Sequence, residues 1–491
     1  MNILMVSAEA FPFSKTGGLG DVVGSLSQAL AQSGEQVTVL LPYWPAGHAG
    51  PPPARLATGL NTSFPGDPAE FGIRVDRPHE GLTYLLIDAP NLFDRAGLYG
   101  DETGRAYLDN VARFTFFGRA VLKVIDHCSL PTDVLHLHDW HAGLLPWQRR
   151  FSSGSKTVAP VGIVQTIHNI AYQGRFAADD WKWTGLPRSA FSLEGIEFWG
   201  DWSMLKAGIL AADQITTVSP TYAQELLGAD QGKGFEGILA SRQARLTGII
   251  NGIDRDKWNP ASDSHLECRY DLATVGVGKA ACKRRLQLDW GLPARHDVPL
   301  IGMVGRLTEQ KGIDALLLFA KHLLNRETQF AILGQGDRNL EELVTQLAEC
   351  YPDRVRAKIG FHESEARRIY AAADGFFMPS RFEPCGLSQL LAMRYGAIPI
   401  VHAVGGLIDT VVDATPSTIE RRTATGFHFH RWSEEALIGV FARVEEAFRS
   451  RLVWDGLIAS AMQADWSWAK SVPQYQRVYG QACRFAQRAG S

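Results

Sequence analysis

Short apolar runs alternate with longer segments of helical period along most of this chain, in two separate series. Ile3–Val6, Val37–Leu41, Tyr84–Ile87, Val134–Leu137 and Ile163–Ile167 form the first set of runs. Each has the length of a strand. Between the first two, Asp21–Ala31 places Val22, Val23, Leu26, Ala29 and Leu30 at helical spacing, with Gly34 as a stop. The second series begins near Pro299. Its runs are Leu300–Val304, Phe330–Leu333, Gly375–Met378 and Ile398–Val401, and its helical segments lie near Gly312–Leu324, Leu340–Glu349, Glu363–Ala372 and Leu387–Tyr395. Such alternation is resolved by a parallel, doubly wound sheet. The expectation is an α/β chain of two Rossmann-like domains, with Ile249–Pro260 as the connection. Open α/β sheets bind ligands beyond the carboxyl ends of their strands, so two of them predict an interdomain cleft holding the ligand. The tail Trp466–Phe485, rich in Trp, Tyr and Phe, is expected to be docked.

Charge and cysteine usage remove several function classes. The 491 residues carry 49 basic and 52 acidic side chains, a net charge of −3, with no long basic run. That composition favours neither a nucleic acid nor a membrane partner, and any phosphate binding has to be local. No apolar run reaches the length of a membrane span. The first residues, Met1 to Glu9, lack a basic segment and read as a strand, not a signal peptide. The six cysteines form no CxxC pair, so neither a zinc site nor a disulfide framework is expected. A reducing, cytoplasmic setting follows as the expectation.

Five motifs fall just after predicted strands. Lys15-Thr-Gly-Gly-Leu-Gly-Asp21 precedes the first helix. Its glycines let amides approach an anion, and a helix N-terminus favours negative charge; it also reads as a tight turn alone. It is neither a Walker loop nor GxGxxG. Gly305-Arg306-Leu-Thr-Glu-Gln-Lys311-Gly312 offers two cations that can hold a diphosphate and neutralise charge on a leaving group. The same two residues also read as solvated surface charges. Ser380-Arg-Phe-Glu383-Pro-Cys385-Gly386-Leu387-Ser388-Gln389 sets a carboxylate, able to accept from sugar hydroxyls, before amides suited to phosphate. Glu383 alternatively is a helix-start acid. In His136-Leu-His138-Asp139-Trp140-His141, a metal site competes with carbohydrate contact; His136 and His138 share a strand face and Asp139 faces away. Gln165-Thr-Ile-His168-Asn169 carries one more imidazole, which also fits a structural histidine. Asp254-Arg-Asp256 spells a DxD motif, but inside the expected linker, and is set aside as chance.

Taken together and in this order, these segments resemble the bacterial glycogen synthases and plant starch synthases. Lys15-Thr-Gly-Gly-Leu, His138-Asp-Trp-His-Ala, Thr166-Ile-His-Asn, Asn251-Gly-Ile-Asp254, Gly305-Arg-Leu-Thr-Glu-Gln-Lys-Gly and Ser380-Arg-Phe-Glu-Pro-Cys-Gly-Leu carry the match across most of the chain. The resemblance implies a GT-B fold and retaining transfer from ADP-glucose to glycogen or another linear α-1,4-glucan, with no metal or other cofactor. It implies an acceptor-side domain over residues 1–248, a nucleotide-sugar domain over 249–465, and a C-terminal helix, 466–491, that crosses back onto the first. By the same resemblance Arg306 and Lys311 bind the diphosphate, Glu383 holds the donor glucose, and His168 lies near its 6-hydroxyl. Lys15, Gly17, Gly18, Asp21, Asn251, Phe361, Cys385, Gly386, Leu387 and Ser388 contact the donor, and Glu9, Tyr99, Asp139, Trp140 and His141 border the acceptor. Two departures stand out. Leu391 occupies the place of a second glutamate found in the wider GT-B group, and Phe361 stands where a tyrosine is common, keeping a ring for the adenine but no phenol. Competing readings are a retaining GT-B transferase using UDP-glucose or a small acceptor, a silent glycan-binding protein, and a glucan phosphorylase dependent on pyridoxal phosphate.

Overall fold

Ile3, Leu4, Met5 and Val6 are at most 1% exposed, because their strand is flanked on both sides. β1 (Asn2–Val6) pairs in parallel with β2 (Gln36–Pro42) and, on its other edge, with β6 (Val134–His138). A strand covered on both faces has no need to alternate, hence the continuous apolar run. The computed structural model describes residues 1–47, 50–62, 69–102, 104–151, 161–317, 327–360 and 362–490. By internal contacts the chain divides into two units. Unit 1 comprises Met1–Val218, Ala223–Gly252 and Trp468–Ser491; unit 2 comprises Ser219–Tyr222 and Ile253–Ser467.

The sheet of unit 1 adds β3 (Ala54–Thr62), β4 (Ala69–His79), β5 (Leu82–Asp88), β7 (Gly162–Ile167), β8 (Gln214–Thr217) and β9 (Leu246–Gly248). Its order is β9-β8-β7-β6-β1-β2-β5-β4-β3. All neighbours are parallel except β5 with β4 and β4 with β3, which are antiparallel. Those last two strands have no counterpart in the sequence reading. They form one margin of the sheet, and charged residues such as Arg55, Arg74, Asp76 and Arg77 interrupt any apolar run. Helix Gly18–Gln32 follows β1. It starts earlier than the apolar spacing implied, so Gly18 and Gly20 lie within its first turn and not in a preceding loop. A β-carbon on Gly20 would sit 2.8 Å from the Ser14 carbonyl oxygen, and one on Gly24 2.5 Å from that of Phe11. Glycine there lets the loop lie on the helix. The C-terminal helix Trp468–Gly490 belongs to unit 1 and packs on β7 and on helix Gly18–Gln32. Tyr475, Tyr479 and Ala482 are fully buried in that contact.

Among the described residues of unit 2, six parallel strands form one sheet: β10 (Leu300–Val304), β11 (Gln329–Gly334), β12 (Val355–Ile359), β13 (Gly375–Met378), β14 (Ile398–His402) and β15 (Phe427–Phe429). The order is β12-β11-β10-β13-β14-β15. The helix at Glu363–Ala372 has the bounds expected from its spacing. Helix Arg338–Cys350 begins two residues early because the Asp337 carboxylate caps it, accepting from the amides of Asn339 and Leu340 at 2.9 and 3.2 Å. Residues 313–317 are helical, and the remainder of the helix expected at 312–324 lies outside the described residues. In each sheet the direction of strand order reverses at one strand, β1 in unit 1 and β10 in unit 2, so a crevice opens beyond their carboxyl ends.

Candidate functional site

Beyond β1, the chain builds a carboxylate cradle. Glu9 is 2% exposed, yet its two oxygens accept three hydrogen bonds: from the Thr16 amide (2.6 Å), the Thr16 hydroxyl (2.8 Å) and the Tyr99 hydroxyl (2.5 Å). Burial, with the charge of Glu9 second, pushes the Tyr99 phenol well above its ordinary range, so it stays an O–H donor. Gly17 caps the following helix without a side-chain acceptor. The first amides of a helix have no intrahelical partner, and here they end beside an exposed Gly18. Lys15 does not stand alone. Its ammonium is 2.7 Å from the Asp21 carboxylate in the helix's first turn, with both side chains about one-third exposed. Two residues expected to meet the donor therefore meet each other.

The carboxyl ends of β6 and β7 carry rings. Asp139 takes a positive φ of 53°, uncommon for a residue with a side chain. That turn lets its amide donate to the Thr166 carbonyl (2.9 Å) while its carboxylate accepts from the His168 amide (2.8 Å). Burial pushes the Asp139 carboxyl up to about 7, against the lowering by the amides of His168 and Asn169. Trp140 and His141 follow in a single turn, with ring centroids 4.0 Å apart. His141 stacks on Tyr99 at 4.7 Å, and Phe114 lies 4.8 Å from Trp140. Gly174, at φ 54°, packs so closely under Trp140 that a β-carbon would fall 2.5 Å from the indole. The expected acceptor residues Glu9, Tyr99, Asp139, Trp140 and His141 thus form one neighbourhood within unit 1.

Three histidines run beneath it. His136 and His138 lie 4.1 Å apart on one strand face, as the period of two requires. His138 Nδ1 is 3.0 Å from His168 Nε2, and His136 joins the Thr166 hydroxyl (2.6 Å) and the Tyr479 hydroxyl (2.9 Å). Burial lowers His136 and His168 to about 3, and carries His138 and His141 well below their ordinary value. All are neutral imidazoles near pH 7. Among the described residues no group of three or more His, Cys, Asp or Glu is placed to hold a metal ion. In the DxD-like segment, the Asp254 carboxylate is occupied by the amides of Asp256 and Lys257 at 3.0 Å each. Asn251 is buried in unit 1, and its side-chain oxygen has no partner among the described residues.

Unit 2 brings charge where unit 1 brings rings. The loops after β10 and β13 touch at Gly312, where φ is 67° and a β-carbon would lie 2.0 Å from the Pro379 carbonyl oxygen. Arg381 donates its amide to the Gln310 carbonyl (2.9 Å), and the Gln310 side chain donates to the Phe382 carbonyl (3.3 Å). This lacing sets the Lys311 ammonium 2.5 Å from the Glu383 carboxylate. Glu383 is 5% exposed and also accepts from the Ser380 hydroxyl at 2.9 Å. His402 Nδ1 donates to the Ser380 carbonyl at 2.8 Å, and Gly406 donates to the Glu383 carbonyl at 3.0 Å. Arg306, Lys311, Ser380 and Ser388 line one pocket of this unit. The sequence reading assigned Lys311 and Glu383 to different parts of the ligand; in the structure they are one ion pair. Ser380 and His402, which hold that pair, were not singled out; Ser380 lay inside the motif, whereas nothing local marked His402. Cys385 is buried, Gly386 has φ 74°, and Leu387 and Ser388 open the short helix Ser388–Arg394. Leu391 sits in the core of this unit. Phe361 lies outside the described residues.

Residues 2–241 match the family model described as the starch synthase catalytic domain, and residues 285–452 the one described as glycosyl transferases group 1. A glycogen synthase of Anaeromyxobacter dehalogenans is 43% identical, with 98% of both chains covered. One from Rhodopirellula baltica is 38% identical over 100% of both. Among solved structures, the catalytic domain of starch synthase IV from Arabidopsis thaliana, bound to ADP and acarbose, matches with a TM-score of 0.91 and 31% identity, covering 98% of this chain and 99% of that one. A sucrose-phosphate synthase from Thermosynechococcus elongatus, at 19% identity and a TM-score of 0.61, shares the fold alone.

Proposed function

The chain belongs to the glycogen and starch synthase family of GT-B glycosyltransferases, and we propose from that membership that it lengthens an α-1,4-glucan. Glucose passes from ADP-glucose to the non-reducing end of the glucan with retention of configuration. The observation that carries this reading within the molecule is the Lys311–Glu383 pair, which shares its neighbourhood with Arg306 beyond the switch point of the second sheet.

The proposed chemistry is same-face displacement. The bond from glucose C1 to the diphosphate oxygen breaks, and the sugar ring takes on positive charge. Arg306 and Lys311 stabilise the negative charge on departing ADP. Glu383, a buried carboxylate, accepts from the donor's hydroxyls and offsets charge on the ring. The acceptor hydroxyl bonds to C1 on the face that ADP leaves, and its proton passes to a phosphate oxygen. No side chain at this site is offered as a covalent nucleophile. Cys385, Gly386, Leu387 and Ser388 are assigned to the donor, as are Lys15, Gly17, Gly18, Asp21 and Asn251 of unit 1. The Lys15–Asp21 pair has to open for Lys15 to meet a phosphate. Glu9, Tyr99, Asp139, Trp140 and His141 are assigned to the glucan, for which apolar ring faces edged by hydrogen-bonding groups are suited. His168 is placed at the 6-hydroxyl of the donor glucose.

The proposal includes glycogen or a linear glucan as acceptor, a cytoplasmic location and no metal requirement. No helix among the described residues is long and apolar enough to cross a membrane. The test is incubation with labelled ADP-glucose and glycogen, beside UDP-glucose as the competing donor. Label incorporated into polymer from ADP-glucose, and released by an exo-acting enzyme specific for α-1,4 links, is the expected result. Incorporation from UDP-glucose in preference would overturn the donor assignment.

A further inference from the structure

His168 has two ring nitrogens in different surroundings. Nε2 faces His138 Nδ1 at 3.0 Å. Nδ1 has no protein partner among the described residues, and it is not among the buried unpaired atoms, so it is the nitrogen left accessible. One proton lies between the two facing nitrogens, and which ring owns it fixes what His168 can offer a ligand. His138 decides the matter. It is 0% exposed, and its other nitrogen, Nε2, is buried with no protein partner. If His168 owned the shared proton, the proton of His138 would be on Nε2, as an orphaned buried N–H. If His138 owns it on Nδ1, its Nε2 is a bare acceptor. Orphaned buried N–H groups are the rarer of the two. We propose that His138 is a positioning residue: it donates from Nδ1 to His168 Nε2 and so fixes His168 as a neutral ring whose accessible Nδ1 carries a proton for a hydroxyl oxygen of the donor sugar.

The arrangement suits the chemistry. A doubly protonated His168 would set a positive charge beside a sugar ring that is itself becoming positive, and burial keeps the ring uncharged. A bare Nδ1 would instead ask the sugar hydroxyl to donate. The strand that carries His138 supports the same geometry. His136 lies 4.1 Å from His138 and is tied at both ends, to Thr166 and to Tyr479 of the C-terminal helix, so the ring next to His138 is held in place.

The inference rests on the placing of His168 at the donor sugar, but its first test does not. Histidine selectively labelled with nitrogen-15 should show His168 with a protonated Nδ1 and a bare Nε2, and His138 likewise with its proton on Nδ1. His168→Gln and His138→Asn identify the signals. The reversed pattern, with protons on Nε2 of both rings, overturns the tautomer assignment whatever the enzyme's substrate. The second test is kinetic. Wild type should prefer ADP-glucose to its 6-deoxy analogue, and His138→Phe should lower that preference roughly tenfold, the scale of one hydrogen bond. His138→Asn, whose amide can donate near the position of Nδ1, should restore most of it. An unchanged preference in His138→Phe would overturn the positioning role of His138, and a wild type without any preference would remove His168 from the 6-hydroxyl.

Discussion

The region beyond β1, β6 and β7 and the region beyond β10 and β13 occupy equivalent places on two similar sheets, yet their chemistry is opposite. The first is built around rings held neutral, with Tyr99 kept protonated and four imidazoles kept uncharged, and its Lys15 is matched by Asp21. The second concentrates Arg306, Lys311 and Glu383. Fold alone explains neither, since both sheets reverse their strand order in the same way. The difference matches the two substrates proposed. A glucan is an uncharged polyol with apolar ring faces, whereas a nucleoside diphosphate leaves as an anion from a sugar that turns cationic.

The sharpest way to break this contrast is at the charged site. Arg306→Ala or Lys311→Ala should lower kcat by on the order of 10²–10³, with the circular dichroism of the full chain unchanged. Near-normal turnover in both variants would return these residues to the surface-charge reading.

A smaller effect tests the neutral site through stability. His136 and His168 fall from an ordinary 6.5 to about 3, and His138 and His141 also fall. Each contributes stability that is complete above pH 6.5 and is lost as pH drops toward the folded value. Asp139, raised from 3.8 to about 7, acts the other way: its contribution is complete below 3.8 and is lost as pH rises through about 7. Four groups oppose one. Stability of β6 and β7, followed by hydrogen exchange, should rise between pH 4.5 and 6.5 by more than about 1 kcal/mol per pH unit. A flat or falling profile would mean that the rings are charged, and the contrast between the regions would collapse. The smallest expected effect is none: activity should survive exhaustive chelation, and activity that disappears and returns with a divalent cation would place a metal where Arg306 and Lys311 are assigned.

Much of this was legible from patterns of short range. Strand runs such as Leu300–Val304 recur in the structure with unchanged bounds because they are buried on both faces and have nothing to alternate with. Motifs placed after those runs came with them, which is why Arg306 and Lys311, or Trp140 and His141, could be named together. What escaped depended on contacts between distant segments. The Lys311–Glu383 pair spans 72 residues and depends on Gly312 passing under Pro379, which no local pattern announces. His138 was visible in its motif, but its link to His168 belongs to strand register. The Lys15–Asp21 pair was within reach, since both residues sit in one motif, but a helix starting at Asp21 leaves Gly18–Gly20 as loop, and only the earlier start in the structure fixes where Asp21 lies relative to Lys15.

The Lys311–Glu383 contact also changes what one substitution should do. Glu383→Gln keeps the shape and removes the charge that now holds Lys311 at 2.5 Å. The measurement is kcat with ADP-glucose beside the Kd for ADP, in wild type and in Glu383→Gln. The account predicts kcat lower by on the order of 10²–10³, with ADP bound as tightly as in wild type or more tightly, because Lys311 is released toward the diphosphate. A large loss of ADP affinity with kcat little changed would contradict it, and would place Glu383 at the nucleotide and not at the reacting sugar.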